Sequence, residues 1–171
     1  YQNVYPAIFE YMNFVEKFIK KNHYAYTIFG RRRNLPDIIS KDYSVVSRAA
    51  RQGLNFTIQS TASDILLCGL LGTHRTLREE GVDARPVATV HDSIELICHK
   101  DHISKCLEIV YNELVNYPFI KKYFNIHFDV PFKIDAEVGH SFGDGVEVDF
   151  KDGKPQNLQE IKEYMNCEPS L

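Results

Sequence analysis

No apolar run in these 171 residues reaches the length of about 20 that a membrane-spanning helix needs, and no secretory leader opens them. Cysteine is sparse: Cys68, Cys98, Cys106 and Cys167 form no close-spaced pair. That spacing argues against a zinc site and a disulfide framework, and fits a reducing intracellular compartment. There is no internal repeat and no low-complexity tract, so a solenoid or a disordered tail is not expected. Net positive charge is also missing; the formal value is -3, which by itself argues against a nucleic-acid partner. The first residue is Tyr1 and not Met, which predicts a fragment or a processed product.

The distribution of charge reverses the last argument but one. Residues 1–51 hold nine Lys/Arg against four Asp/Glu, and residues 52–171 hold eleven against nineteen. A basic front half and an acidic back half suit one surface for phosphates and another for cations, although two solvated surfaces would give the same count. The length suits one domain with a real core.

Local patterns predict an α+β chain. Ile8, Met12, Val15 and Ile19 recur at helical spacing and predict a helix over 5–22. Residues 23–30 read as a short strand ending in a Gly turn, and 31–37 as a basic loop with a Pro stop. A second helix is expected from Ser40 or Asp42 to about Phe56, with "TIQST" interrupting it. Thr61 and Asp64 resemble a capping box for a third helix that continues toward Glu80. A β-hairpin is expected at about 87–98. Asp101 could cap a helix over 102–116 with Ile103, Leu107, Val110 and Leu114 on one face. Residues 126–139 alternate apolar and polar and give the clearest strand signal, with Pro131 marking an edge or bulge. Residues 143–153 read as turns, and Asn157 as the cap of a last short helix.

Three groups of residues carry candidate chemistry. His91-Asp92 interrupts the apolar run "VATVHDSIELIC". An unpaired charge there is costly without a reason, and a carboxylate at a hairpin tip is a good Mg²⁺ ligand. It would need a second acidic residue from elsewhere for two-metal phosphoryl transfer. An isolated His-Asp pair is more often just a polar turn. Arg51, Asn55 and Gln59 are four apart, so each drifts only about 40° around a helix and all share one arc. Their side chains suit minor-groove acceptors and sugar–phosphate oxygens, or simply water. "FGRRR" (29–33) could hold a phosphate backbone through guanidinium forks.

In order, "YTIFGRRRNLPDI", "RQGLNFTIQSTASDIL" and "VATVHDSIELI" resemble the C-terminal part of the A-family DNA polymerases. That family carries a T-L-F-G-R-R-R-x-L-P-type segment. It is followed by a helix with Arg, Asn and Gln at four-residue steps, and then by the V-H-D-E hairpin called motif C. The resemblance covers roughly residues 1–142 and has a phage-like flavour. It implies a palm-type small antiparallel sheet backed by long helices, with part of the fingers. About 1–40 would be a fingers-to-palm segment, about 41–142 palm, and 143–171 a C-terminal tail.

By position, the resemblance makes Asp92 a catalytic metal ligand and places His91 by the primer terminus. Arg51, Asn55 and Gln59 would face the primer–template minor groove, and Arg31 and Arg32 would lie near the nucleic-acid backbone or brace the palm. The implied cofactor is Mg²⁺ in a two-metal site completed from outside the chain. The implied partners are primer–template DNA, dNTP and the remainder of the polymerase, with no membrane. The implied location is cytoplasmic, or the host cytoplasm for a phage protein. Two departures stand out: Ser93 occupies the place of the usual Glu, with Glu95 two residues on, and Ser60 replaces a Gly. Motifs A and B lie upstream in the family and have no counterpart here, so these residues alone would be inactive. "DYSVVSR" (42–48) mimics motif A, but lies after "FGRRR" and at a helix start, so Asp42 is read as a cap. The rival readings are a catalytically silent nucleic-acid-binding palm remnant and an HD-type metal phosphohydrolase.

Overall fold

The computed structural model describes residues 4–167; the outermost ends of the first and last expected segments lie outside the described residues. The chain divides into two compact units, Tyr1–Asp64 and Ile65–Leu171. Its elements are helices and small antiparallel sheets, the expected α+β class. Among the described residues, no helix is long and apolar enough to cross a membrane.

The first unit opens with α1 (Pro6–Asn22), started by a proline at a position whose N–H needs no partner. Val15 and Ile19 of its expected apolar face are buried, whereas Ile8 and Met12 stay exposed. β1 (Tyr24–Tyr26) then pairs antiparallel with β2 (Arg32–Asn34), in the register Tyr24↔Asn34 and Tyr26↔Arg32. The basic stretch expected as a loop is therefore largely a strand. Gly30, at φ +84, supplies the left-handed residue of the tight turn, and its N–H bonds the Thr27 carbonyl at 2.9 Å. A 3₁₀ turn (Pro36–Ile39) leads to α2 (Tyr43–Asn55).

Asp42 caps α2, accepting from the Ser44 N–H at 2.7 Å, as expected. Val15, Ile19, Ala25, Leu35, Ile38, Ala49 and Phe56 form the core of this unit. α2 crosses α1 closely at Gly53, where a Cβ would fall 2.3 Å from Ile19 Cδ1 and 2.7 Å from Leu35 Cδ1.

"TIQST" does not break the helix. Residues Phe56–Ser60 form a π turn that runs straight into α3 (Thr61–Glu79). Hydroxyls bond carbonyls in and around this turn: Thr57 Oγ1 donates to Leu54 O at 2.8 Å, Thr61 Oγ1 to Thr57 O at 2.6 Å and Ser63 Oγ to Gln59 O at 3.2 Å. Such back-bonding by Ser and Thr widens and bends helices without ending them. The expected third helix is therefore α3, but it is entered from a continuous helical turn and not through a capping box: Thr61 Oγ1 bonds the Thr57 carbonyl and Asp64 pairs with Arg31.

In the second unit, β3 (Ala84–Val90) and β4 (Ser93–Cys98) make the expected hairpin, three residues longer at its start and bulged between Pro86 and Ala88. α4 (Ile103–Tyr111) continues through a second π turn (Asn112–Asn116) to α5 (Pro118–Phe124). Asp101 does not cap α4: the 3₁₀ turn Lys100–His102 precedes the helix, and His99 Nδ1 accepts the Asp101 N–H at 3.4 Å. The expected α4 face is apolar and splits between two cores. Val110 and Leu114 pack with Leu77, Cys106, Ile109, Leu96 and Cys98; Ile103 and Leu107 pack with Val148 and Ile161.

The strand expected over 126–139 is a correction. Residues 125–136 pair with no strand among the described residues, and β5 (Glu137–Ser141) begins only at their end, pairing with β6 (Asp144–Glu147). Ile126, Phe128, Phe132, Ile134 and Ala136 are nonetheless partly buried while their neighbours are exposed. Alternation reported burial faithfully but could not supply a pairing partner, and Pro131 carries no N–H for a ladder. The stretch expected as turns holds β6, β7 (Phe150–Lys151) and the start of the β7–β8 pair, with β8 at Lys154–Pro155. Asn157 does stand at the N-cap of α6 (Leu158–Asn166), but its side chain bonds the Glu147 carbonyl and Asp149 N–H and so ties α6 to β6.

Candidate metal-binding and nucleic-acid-binding residues

His91 and Asp92 are the two residues between β3 and β4, and Val90 faces Ser93 across the turn. His91 has φ +56, a left-handed conformation that tight hairpin turns usually give to Gly, Asn or Asp. Holding a histidine there costs on the order of 1 kcal/mol, and such strain gathers at functional sites. Both side chains are exposed, and the Asp92 carboxylate has no hydrogen bond or ion pair among the described residues. No group of three or more His, Cys, Asp or Glu side chains that could hold a metal occurs among the described residues. The hairpin thus presents one carboxylate at its tip, and a metal there would need further ligands. Beside it, Ser93 Oγ lies 3.0 Å from the Val90 carbonyl and 2.9 Å from Glu95 Oε1. The serine therefore orients the next carboxylate along the strand, which the sequence left open.

Arg51, Asn55 and Gln59 belong to the first unit and all three are exposed. Arg51 Nη1 donates to Ser47 Oγ at 2.9 Å, one turn back on α2. Gln59 lies inside the π turn, where each residue rotates less than in an α-helix. Its backbone position therefore drifts back toward the bearing of Arg51 instead of away from it.

The arginines differ from one another. Arg31 Nε is 2.8 Å from Asp64 Oδ1, its Nη2 donates to the Ser60 carbonyl at 3.0 Å, and its guanidinium lies 5.6 Å from the Phe56 ring centre. Arg31 thus clamps the β1–β2 turn to the π turn and the start of α3. Asp64, nearly buried, is the partner that the capping-box reading missed. Arg32 stacks on Tyr24 at 3.6 Å from the ring centre, within a cluster that also holds Phe18 and Tyr26. A guanidinium so stacked keeps its outward N–H groups for another acceptor.

The family model for DNA polymerase family A matches residues 1–144. The chain is 34% identical over 170 residues to the DNA polymerase of Bacillus phage SP01, covering 98% of the chain and 18% of that protein. It is 31% identical over 140 residues to DNA polymerase I of Geobacillus stearothermophilus, covering 82% of the chain and 15% of the relative. Its fold matches the POL domain of Pol1 from M. smegmatis, solved in complex with DNA primer-template and dNTP. That match has TM-score 0.69 and 25% identity, and covers 78% of the chain and 22% of that structure. A helical and small-sheet chain of this pattern is a polymerase-type fold. The chain belongs to DNA polymerase family A, and it spans less than a quarter of the length of these relatives.

Proposed function

We propose that this chain is the part of a template-directed DNA polymerase that contributes the motif C hairpin and a set of primer–template contacts. The reaction is transfer of a nucleotidyl group from dNTP to a primer 3′-OH. The observation that carries the reading is the two-residue turn at His91-Asp92, with an unpartnered carboxylate at its tip, in a chain of this family. The segments would be fingers-to-palm over about 1–40, palm over about 41–142 and a tail from 143.

Asp92 fits one ligand of a Mg²⁺ site, since Mg²⁺ takes one or two carboxylates together with water and phosphate oxygens. A second aspartate would come from outside these residues. Bound there, Mg²⁺ would offset charge on the transferred phosphoryl group. His91 would sit by the primer terminus, held by its strained turn. Arg51, Asn55 and Gln59 would touch minor-groove acceptors, which lie in similar places for every correct base pair and so report pair geometry. Arg32 would reach the nucleic-acid backbone, and Arg31 would act as a brace through Asp64. A cytoplasmic location, in the host cytoplasm for a phage protein, goes with DNA as partner.

One observation favours a catalytically silent, DNA-binding variant of this reading: Ser93 stands where the family has Glu. The hydrogen bond from Ser93 to Glu95 keeps a carboxylate near the turn and favours the active form. The phosphohydrolase reading has no observation in its support. The test is Asp92→Ala in the complete polymerase that carries these residues. Turnover should fall by orders of magnitude while primer–template affinity, which phosphate contacts dominate, stays nearly unchanged. Activity within a few-fold of wild type would remove the metal role, and an inactive parent enzyme would favour the silent form.

A further inference from the structure

α1 carries Tyr11, Phe14, Lys17, Phe18 and Lys21 within about 120° of arc. Phe18 meets Tyr24 and Tyr26 of β1 edge to face, with ring centres 5.3 and 5.1 Å away, and Phe14 lies 6.4 Å from Phe18. Arg32 of β2 stacks on the Tyr24 ring. Beside these rings opens a cavity of about 180 Å³, lined in part by Tyr11, Phe14, Phe18, Tyr26 and Ile28. The Tyr11 hydroxyl donates to Thr57 Oγ1 at 3.0 Å and fixes one wall. Much of this aromatic surface faces outward: Phe14 is 57% exposed, Tyr11 43% and Tyr26 41%.

Single exposed apolar residues need no explanation, but a contiguous aromatic patch around a cavity marks a binding surface. The charge around it says what it binds. Lys17, Lys21 and Arg32 are all exposed, and neither lysine has a hydrogen bond or ion pair among the described residues. Lys20, by contrast, is matched by Glu16. Of the α1 carboxylates, Glu10 shares the arc and Glu16 does not. Rings flanked by unmatched cations suit a polyanion that carries flat apolar groups. Unpaired nucleic acid has that chemistry: its bases stack on rings and its phosphates meet cations. Duplex DNA keeps its bases stacked on one another and could use only the cations.

We propose that this aromatic face is a stacking site for unpaired bases of the template strand, with Lys17, Lys21 and Arg32 matching its phosphates. Phe14 and Tyr26 supply the exposed rings, and Phe18 and Tyr24 hold them in place from behind. The site shares no residue with the Arg51–Asn55–Gln59 face or with His91-Asp92. Which strand it takes rests on the polymerase reading; its preference for unpaired bases rests on the rings alone.

The test is fluorescence anisotropy with the complete polymerase that carries these residues. The probe is a primer–template whose template strand ends in a 5′ oligothymidine overhang. Two controls accompany it: the same duplex without an overhang, and an overhang of abasic nucleotides that keeps the phosphates and lacks the bases. Wild type should bind the thymidine overhang more tightly than either control. Phe14→Ala and Tyr26→Ala should each weaken that binding by about 5-fold or more, the loss of one stacked base, and leave both controls within about 2-fold. Phe14→Trp should keep the preference. Lys17→Gln should weaken thymidine and abasic overhangs alike and lower the salt-dependence slope by about 0.7. Thymidine bound no better than the abasic overhang would overturn the proposal, and so would unchanged binding in both ring variants. Equal losses on all three substrates with a lower thermal midpoint would also overturn it, since a face packed against another part of the polymerase gives that result. Phe14→Ala, at the most exposed of these rings, decides alone if Tyr26→Ala fails to fold. Binding and not extension is read, so failure of the Asp92 assignment leaves this result unaffected.

Discussion

Arg31→Ala should destabilise the first unit by about 2 kcal/mol, a value bracketed by two limits. Removing one partner of a fully buried ion pair costs about 3–5 kcal/mol, whereas an exposed pair is worth about 0–1 kcal/mol. This pair lies between them, because the Asp64 side chain is 11% exposed and that of Arg31 50%. Asp64 Oδ2 already lacks a partner among the described residues, so losing the guanidinium leaves both carboxylate oxygens unbonded. A charge-assisted hydrogen bond contributes about 1.5–3 kcal/mol, and water entering the vacated volume returns part of that. The Ser60 contact and the face of Phe56 add on the order of 0.5 kcal/mol. Arg31→Lys should recover less than half, since one ammonium cannot span both partners. The assay is urea unfolding, read as a shift in midpoint at constant slope, with Asp64→Asn closing a double-mutant cycle. A change below about 0.5 kcal/mol for Arg31→Ala would refute the brace. A fall of about 1 in the salt-dependence slope of DNA binding, without loss of stability, would instead make Arg31 a phosphate contact.

Gly53→Ala should lower the thermal midpoint: the clash with Ile19 and Leu35 costs about 1–3 kcal/mol, and better helix propensity offsets about 1 kcal/mol of it. The hydrogen bonds from Ser44 hold the Asp42 carboxyl below the usual carboxylate range. Its stabilisation of α2 is therefore complete above a pH of about 4 and is lost as pH falls through the lowered folded value, which amide exchange at the start of α2 would report. Asp42→Ala should abolish that dependence. In the complete polymerase, Arg51→Ala or Gln59→Ala should slow extension of matched primer ends more than mismatched ones, by about 1–3 kcal/mol for each lost contact. Equal slowing of both ends would reduce these residues to backbone contacts.

The parts of the fold that could be read from sequence are those set by neighbours in the chain. α1 and α4 declare themselves by helical spacing, α2 by its Asp42 cap, and the hairpin by two β-rich runs around a polar pair. What escaped was set by partners far along the chain. "RRN" has no apolar residue to mark a strand, yet it becomes β2 because Tyr24–Tyr26 lies opposite. Residues 126–136 have the right alternation but pair with no strand among the described residues. The candidate site divides in the same way. His91-Asp92 was visible because a charge inside an apolar run is conspicuous. The pairing of Arg31 with Asp64 was not, because a capping box and an ion-pair acceptor look identical in sequence.

The interruption at "TIQST" bears most directly on the proposed role of the polar face. β-branched Thr57 and Ile58 with hydroxyls on Thr57, Thr61 and Ser63 make a poor α-helix, and the sequence alone suggests that the helix ends. A break would have let Gln59 point anywhere. An unbroken α-helix would have carried it about 80° around from Arg51 over eight residues. The π turn does neither: it keeps the chain helical, bonds the hydroxyls to backbone carbonyls, and winds Gln59 back toward the arc of Arg51 and Asn55. The same widened turn offers the Ser60 carbonyl to Arg31, so the clamp and the aligned face have one structural origin. Thr57→Ala together with Thr61→Ala removes two of the hydroxyls that favour the widened form. If the alignment matters, that double change should weaken the preference for matched primer ends even though neither residue belongs to the Arg51–Asn55–Gln59 face. An unchanged preference would separate the π turn from the geometry check.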